Sequence, residues 1–198
     1  MIIYNIKRAF RFFSGKAGDG LEQNMIILGI DPGIATTGFG VCRKVGDRFE
    51  YINCGVIETA KGQPVERRIR HVHDSVVKLI ETYKPQVLAI EELFFANNQK
   101  TVINVAQARG CILLAAEERG IPIFEYTPLQ VKQSVVGFGR AEKRQVMEMV
   151  RILFHLPGVP RPDDAADALA IALTHGYRSS NKIARMQTLQ DSKKTGGN

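Results

Sequence analysis

An apolar run, Met25 to Ile30, closes on the carboxylate of Asp31, and the chain then turns through Pro32 and Gly33 into a second apolar run, broken by Gly38 and Gly40, that reaches Val45. Runs of this length bounded by Pro-Gly read as strands buried in a sheet. A charge carried to the end of a buried strand loses hydration, and that is costly unless something at the strand end makes use of it. The stretch therefore asks for a sheet, and for a function at its edge.

The later elements fix the class of sheet. Met25–Asp31, Gly38–Val45 and Phe49–Glu58 read as three strands joined by tight turns, with Gly46-Asp47 as the second turn. Val65, Ile69, Val72, Val76, Leu79 and Tyr83 recur at alternating steps of four and three, the spacing of one helical face. QVLAIE, residues 86–91, is a short continuous apolar run, as expected of a strand buried on both faces. Another helix is expected to run to about Glu118, then a strand at IPIFEY, then two helical segments. Hairpin-joined strands feeding alternating helices and parallel strands give an α/β fold: a mixed five-stranded sheet with helices on both faces. There is no internal repeat.

The 198 residues are enough for one domain with its own core. Residues 25–177 are assigned to that domain, 1–24 to a flexible N-terminal extension without the apolar core of a secretory signal, and 178–198 to a flexible C-terminal tail. No apolar stretch approaches the roughly 18 residues of a membrane span. Cys42, Cys54 and Cys111 form no metal-ligand spacing, and a scattered odd set fits buried reduced thiols in a cytoplasmic protein. The formal net charge is +7, but residues 1–24 hold +2 of it and 176–198 hold +4, which leaves +1 for the rest. An anion-binding face in the domain must therefore come from local clustering.

Asp31 has counterparts. VLAIEE ends a second buried strand on Glu91, and in a sheet covered on both faces the strand ends are where sites collect. RPDDAADALAIALTH places Pro162, Asp163 and Asp164 at an expected helix start, where the helix dipole favours carboxylates. Asp164 and Asp167, three apart, share a helical face, whereas Asp163 points elsewhere. Taken singly, Asp31 is also an ordinary turn initiator, and Asp163 and Asp164 are ordinary capping residues. Taken together they suggest one acidic cleft. Two like charges about 4 Å apart cost about 4 kcal/mol at an effective dielectric of about 20, so such a cleft calls for cations. Hard divalent ions with oxygen ligands meet that need: two Mg²⁺ would neutralise four carboxylates and suit phosphodiester hydrolysis.

IILGIDPGIATTGFGV, LAIEELFF, QARG, VKQSVVGFGRAEKRQV and DDAADALAIALTH, in this order and spacing, closely resemble the RuvC family of bacterial Holliday junction resolvases, from about Met25 to His175. The resemblance implies an RNase H-like fold, a homodimer, and a Mg²⁺-dependent endodeoxyribonuclease, with Mn²⁺ as a possible substitute, that makes paired symmetric nicks across a four-way DNA junction. It maps the catalytic, metal-holding carboxylates onto Asp31, Glu91, Asp164 and Asp167, and favours Asp164 over Asp163. It also implies docking to the branch-migration proteins RuvA and RuvB.

Residues 130–151 carry Lys132, Arg140, Lys143, Arg144 and Arg151 against Glu142 and Glu148, a local +3, and Gly137 and Gly139 make the loop between helices there pliable. The resemblance assigns Lys132 and Lys143 to the DNA backbone, and Arg140 and Arg144 lie in the same patch. Phe94 matches a family aromatic that stacks on bases near the crossover, whereas Phe95 is assigned to the core. Arg67, Arg68 and Arg70 read as a solvated helix face, and His175 as the C-terminal residue of its helix. An actin-like ATPase domain is the rival reading of DPG and its glycine-rich hairpin, but it requires a longer two-domain chain and a second phosphate loop. A non-catalytic junction-binding module is opposed by carboxylates at all four positions.

Overall fold

Period-two patterning and turn chemistry produce the first three strands, β1 (Asn24–Asp31), β2 (Thr36–Val45) and β3 (Arg48–Glu58). β1 pairs antiparallel with β2, and β2 with β3; Gly46, with φ 57°, takes the left-handed conformation that closes the second turn. The computed structural model describes residues 24–93 and 99–195, with 99–101 and 181–195 as backbone alone. Helix α1 (Val65–Tyr83) ends on Lys84 in the left-handed conformation, whose N–H donates to the Ile80 carbonyl before Pro85 turns the chain away. Strand β4 (Val87–Glu91), helix α2 (Gln99–Glu117) and strand β5 (Ile123–Tyr126) come next.

The sheet order is β3-β2-β1-β4-β5, with β1–β4 and β4–β5 parallel, so the expected mixed five-stranded sheet forms. β1 lies at its centre, and Ile27, Leu28 and Ile30 are fully buried. Successive side chains of a strand point to opposite faces. Leu28 and Ile30 accordingly pack with Val72, Val76 and Ile80 of α1 and Ile112 of α2, whereas Ile27 packs with Leu169 and Leu173 on the other side. Helices thus cover both faces. On the α1 face the buried residues are Val72, Val76 and Ile80, while Val65, expected on the apolar stripe, lies exposed at the first turn. An ion pair between Arg109 of α2 and Glu125 ties that helix to the edge strand β5.

The chain after β5 differs from expectation. It holds three helices, α3 (Pro128–Val136), α4 (Lys143–Leu153) and α5 (Asp163–Thr195), where the apolar pattern suggests two helical segments. Gly137 is the reason for the first break: at φ 93° it ends α3, its N–H donating to the Gln133 carbonyl. Pro157 and Pro160 force the second. α3 starts on a reciprocal cap in which Thr127 Oγ1 accepts from the Gln130 N–H and Gln130 Oε1 accepts from the Thr127 N–H, both at 3.1 Å. α5 continues as helix to Thr195, beyond the boundary expected at 177, because no proline or glycine interrupts residues 177–195. His175 is consequently inside this helix and not its last residue. It is buried, packs on Phe124, and its Nδ1 lies 2.8 Å from the Tyr126 hydroxyl; burial pulls its pKa down to about 4, which keeps it neutral.

Of the cysteines, Cys42 and Cys111 are buried and Cys54 half-buried, all as free thiols. Among the described residues no helix is long and apolar enough to cross a membrane.

Candidate active site

The parallel register of β1 and β4 decides where the first two carboxylates meet. Ile30 pairs with Ile90, so Asp31 and Glu91 leave adjacent strand ends side by side and share a hydrogen bond. The turn after Asp31 is held from several directions. Thr37 Oγ1 donates to the Gly33 carbonyl at 2.5 Å, and the Thr59 hydroxyl donates to the Ile34 carbonyl. Arg68 Nε donates in turn to Thr59 Oγ1 at 2.8 Å. Arg68, read from sequence as part of a solvated face, is therefore partly a brace for the Asp31 turn, while Arg67 is exposed and Arg70 pairs with Asp74 at the surface.

The other carboxylates arrive on α5, and glycines bring them in. A Cβ placed on Gly38, the residue opposite Asp31 in β2, would lie 2.0 Å from the Asp164 carbonyl oxygen. One on Gly29 would lie 2.1 Å from the Ala168 carbonyl oxygen, and one on Gly40 would lie 2.6 Å from the Leu169 nitrogen. The first turns of α5 thus rest with their backbone directly on the sheet. Ala165, Ala166 and Ala168, all buried, keep the contact thin. This approach sets Asp164 and Asp167 beside Asp31 and Glu91. Sequence reasoning noticed the glycines only as interruptions of a strand; a row of alternate glycines in β2 opposite an alanine-rich helix was the available signal.

The electrostatics report the same convergence. Burial raises the Asp31 carboxyl to about 8, and the charges of Glu91, Asp167 and Asp164 push the same way while Lys143 opposes them. Glu91 is raised by burial and then by Asp167, and Asp167 is raised by burial against the pull of Lys143. Lys143 opens α4 and places Nζ 2.8 Å from Asp167 Oδ2 and 3.7 Å from Asp163 Oδ2; its own pKa is raised, first by the hydrogen bond to Asp167. Asp163 is further engaged by Arg161 at 2.5 Å, and it is absent from the charges that act on Asp31.

All the converging donors are carboxylate oxygens, the ligand type of hard divalent cations such as Mg²⁺. Burial is the larger cause of the raised Asp31 pKa, and the charges of Glu91, Asp167 and Asp164 add to it against Lys143, so the donor set fits a divalent ion. Among the described residues no group of three or more acidic, His or Cys side chains already stands close enough together to hold a metal ion. Lys132 is half-buried on α3, and Arg140 and Arg144 are exposed on the α3–α4 turn and the first turn of α4. Phe94, Phe95, Asn97 and Asn98 lie outside the described residues, as does the segment 1–23.

The model of the family described as crossover junction endodeoxyribonuclease RuvC matches residues 27–175, which include every site residue above. The chain belongs to the RuvC family. It is 48% identical over 176 residues to the RuvC of Rubrobacter xylanophilus, covering 87% of this chain and 98% of that one. It is 52% identical over 151 residues to the RuvC of Brevibacillus brevis, covering 76% and 91%. Among solved structures, T. thermophilus RuvC in complex with Holliday junction substrate matches at TM-score 0.76 and 38% identity, over 78% of this chain and 94% of that one. The five-stranded mixed sheet is accordingly the RNase H-like fold of RuvC structures.

Proposed function

We infer that this chain is a crossover junction endodeoxyribonuclease that resolves four-way DNA junctions by paired symmetric nicks, in homologous recombination and DNA repair. The observation that carries the reading is the meeting of Asp31, Glu91, Asp164 and Asp167 at one sheet end, where the negative charge of the cluster adds to burial in raising Asp31 to about 8. These four residues would hold divalent metal, two Mg²⁺ per site with Mn²⁺ as a substitute. Bound there, the metal supplies activation of water and stabilisation of the leaving oxygen of the phosphodiester. Lys143 balances part of the acidic charge. With Lys132, Arg140 and Arg144 it presents cations to DNA phosphates, and Phe94 is assigned to base stacking.

Symmetric nicking of two strands calls for two copies of the site related by a twofold axis. The outward face of α2 supports a homodimer. Ala108, Ile112, Ala115 and Ala116 face the sheet side, yet Ile103 is 59% and Leu114 54% exposed on the opposite face, and Gly110 between them has open space before it. An apolar face with a glycine at its middle suits close approach of a second α2. Leu114→Asp is expected to shift the protein from dimer to monomer in sedimentation equilibrium and to uncouple the paired nicks into single ones. A Leu114→Asp dimer of unchanged stability would place the interface elsewhere. The cellular setting is the cytoplasm, with RuvA and RuvB delivering the junction.

The test of the function is cleavage of a synthetic four-way junction beside a linear duplex of the same sequence, in Mg²⁺ and in EDTA. Paired nicks in the junction alone, absent in EDTA, are expected. Equal cutting of both substrates, or none in either metal condition, would defeat the reading.

A further inference from the structure

Two large apolar side chains stand away from any core, Leu129 in the first turn of α3, 55% exposed, and Phe138 in the α3–α4 turn, 49% exposed. Their placement is built in. Gly137 turns the chain sharply with φ 93°, and Gly139 sits so tightly that a Cβ there would lie 2.2 Å from Leu129 Cδ1. The turn is thus seated on Leu129, with Phe138 projecting between two glycines. Cations lie close by along the chain. Lys132 lies three residues beyond Leu129 on α3, on the same helical face; Arg140 follows Gly139, and Arg144 stands in the first turn of α4. Among the described residues none of these three is engaged in an ion pair or side-chain hydrogen bond. Lys143, beside Arg144, touches Asp167, so the tip is only a few residues from the acidic cluster.

An apolar tip flanked by unengaged cations matches the cross-section of a DNA groove, with phosphates along both edges and sugars and base edges on the floor. We propose that Leu129 and Phe138 form an apolar wedge that enters the minor groove of one junction arm next to the cleavage site, while Lys132 and Arg140 hold the phosphates on either side. This role rests on the junction-resolving reading above and is separate from the base contact assigned to Phe94. The wedge makes no ionic contact, so it adds affinity without displacing counterions; it also anchors the arm by its sugars and base edges, which carry no charge for salt to screen.

Junction affinity measured in EDTA by fluorescence anisotropy, across a series of salt concentrations, tests it with the full chain. Phe138→Ala is expected to weaken binding about tenfold, within the range for losing one aromatic contact to a base, with the slope of log affinity against log salt unchanged. Phe138→Leu, which keeps an apolar side chain of wedge size, is expected to recover most of the affinity. Arg140→Ala is expected to reduce the magnitude of the slope by about one, as the loss of one phosphate contact. A 2-aminopurine placed in the arm next to the nick should brighten on binding wild type, through partial unstacking, and not on binding Phe138→Ala. Tight wild-type binding that Phe138→Ala leaves unchanged, or weakens only through a changed salt slope, overturns the wedge and leaves the resolvase reading standing. A wild-type chain that binds no junction overturns both.

Discussion

Asp31→Asn abolishes nicking of a four-way junction, lowering the single-turnover rate by three or more orders of magnitude, while junction affinity stays within about twofold of wild type. Metal-assisted phosphodiester cleavage draws several kcal/mol of transition-state stabilisation from its ligand carboxylates, and each 1.36 kcal/mol is a factor of ten in rate. Binding is expected to survive because the proposed DNA contacts, the cations of α3 and α4 and the dimer face, leave Asp31 out. The same variant carries a stability signature. Asp31 is raised in the folded chain to about 8, first by burial and then by Glu91, Asp167 and Asp164, from an ordinary value of 3.8. A carboxyl raised in this way contributes stability that is complete below about pH 4 and is lost as pH rises through about 8. In EDTA, wild type should therefore melt progressively lower as pH rises across that window, and Asp31→Asn should melt higher than wild type at pH 8. Mg²⁺ should close that gap by stabilising wild type alone. Thermal melts at pH 5 and pH 8, with EDTA and with Mg²⁺, check this; an Asp31→Asn variant that nicks junctions at even a tenth of the wild-type rate would remove Asp31 from the catalytic set.

Gly38→Ala destabilises the fold by about 3 kcal/mol and slows cleavage about a hundredfold, although the methyl group touches no reacting atom. The new Cβ would meet the Asp164 carbonyl oxygen at 2.0 Å and the Asp164 carbonyl carbon at 2.6 Å. Those are backbone atoms, so no rotamer change relieves the contact and the start of α5 must lift. Asp164 and Asp167 then move away from Asp31 and Glu91, and displacement of about an ångström is enough to cost that much in rate. Gly158→Ala is the matched control, because nothing lies within 4 Å of the added atom there. Denaturant unfolding and single-turnover cleavage of the two variants, measured together, distinguish a glycine that seats α5 from one that merely shapes a strand.

The order of strands and helices up to β5 was legible because each element carries its own pattern: alternation and turns in 25–58, a four-three stripe in α1, and a short buried run in β4. What slipped was the number of helices after β5, three where two segments were expected, and the end of α5. Gly137 and Gly139 do lie between two helices, as their composition suggested, whereas residues 178–195 are polar enough to read as a tail while containing nothing that stops a helix. His175 was misplaced for that reason, and its burial beside Tyr126 and Phe124 came from the packing of α5 on β5.

The site divides in the same way. Asp31 and Glu91 announce themselves because an apolar strand has no local reason to end on a charge, and Asp164 and Asp167 because a shared helical face comes from spacing alone. Which carboxylates belong together, and their kinship with RuvC nucleases, could be read along the chain. How they meet could not: it took the parallel register of β1 against β4, the backbone contact of α5 over Gly29, Gly38 and Gly40, and the swing of Lys143 onto Asp167. Each of these is a contact between residues far apart in the chain, and local periodicity carries no information about distances that are set by which surfaces pack together.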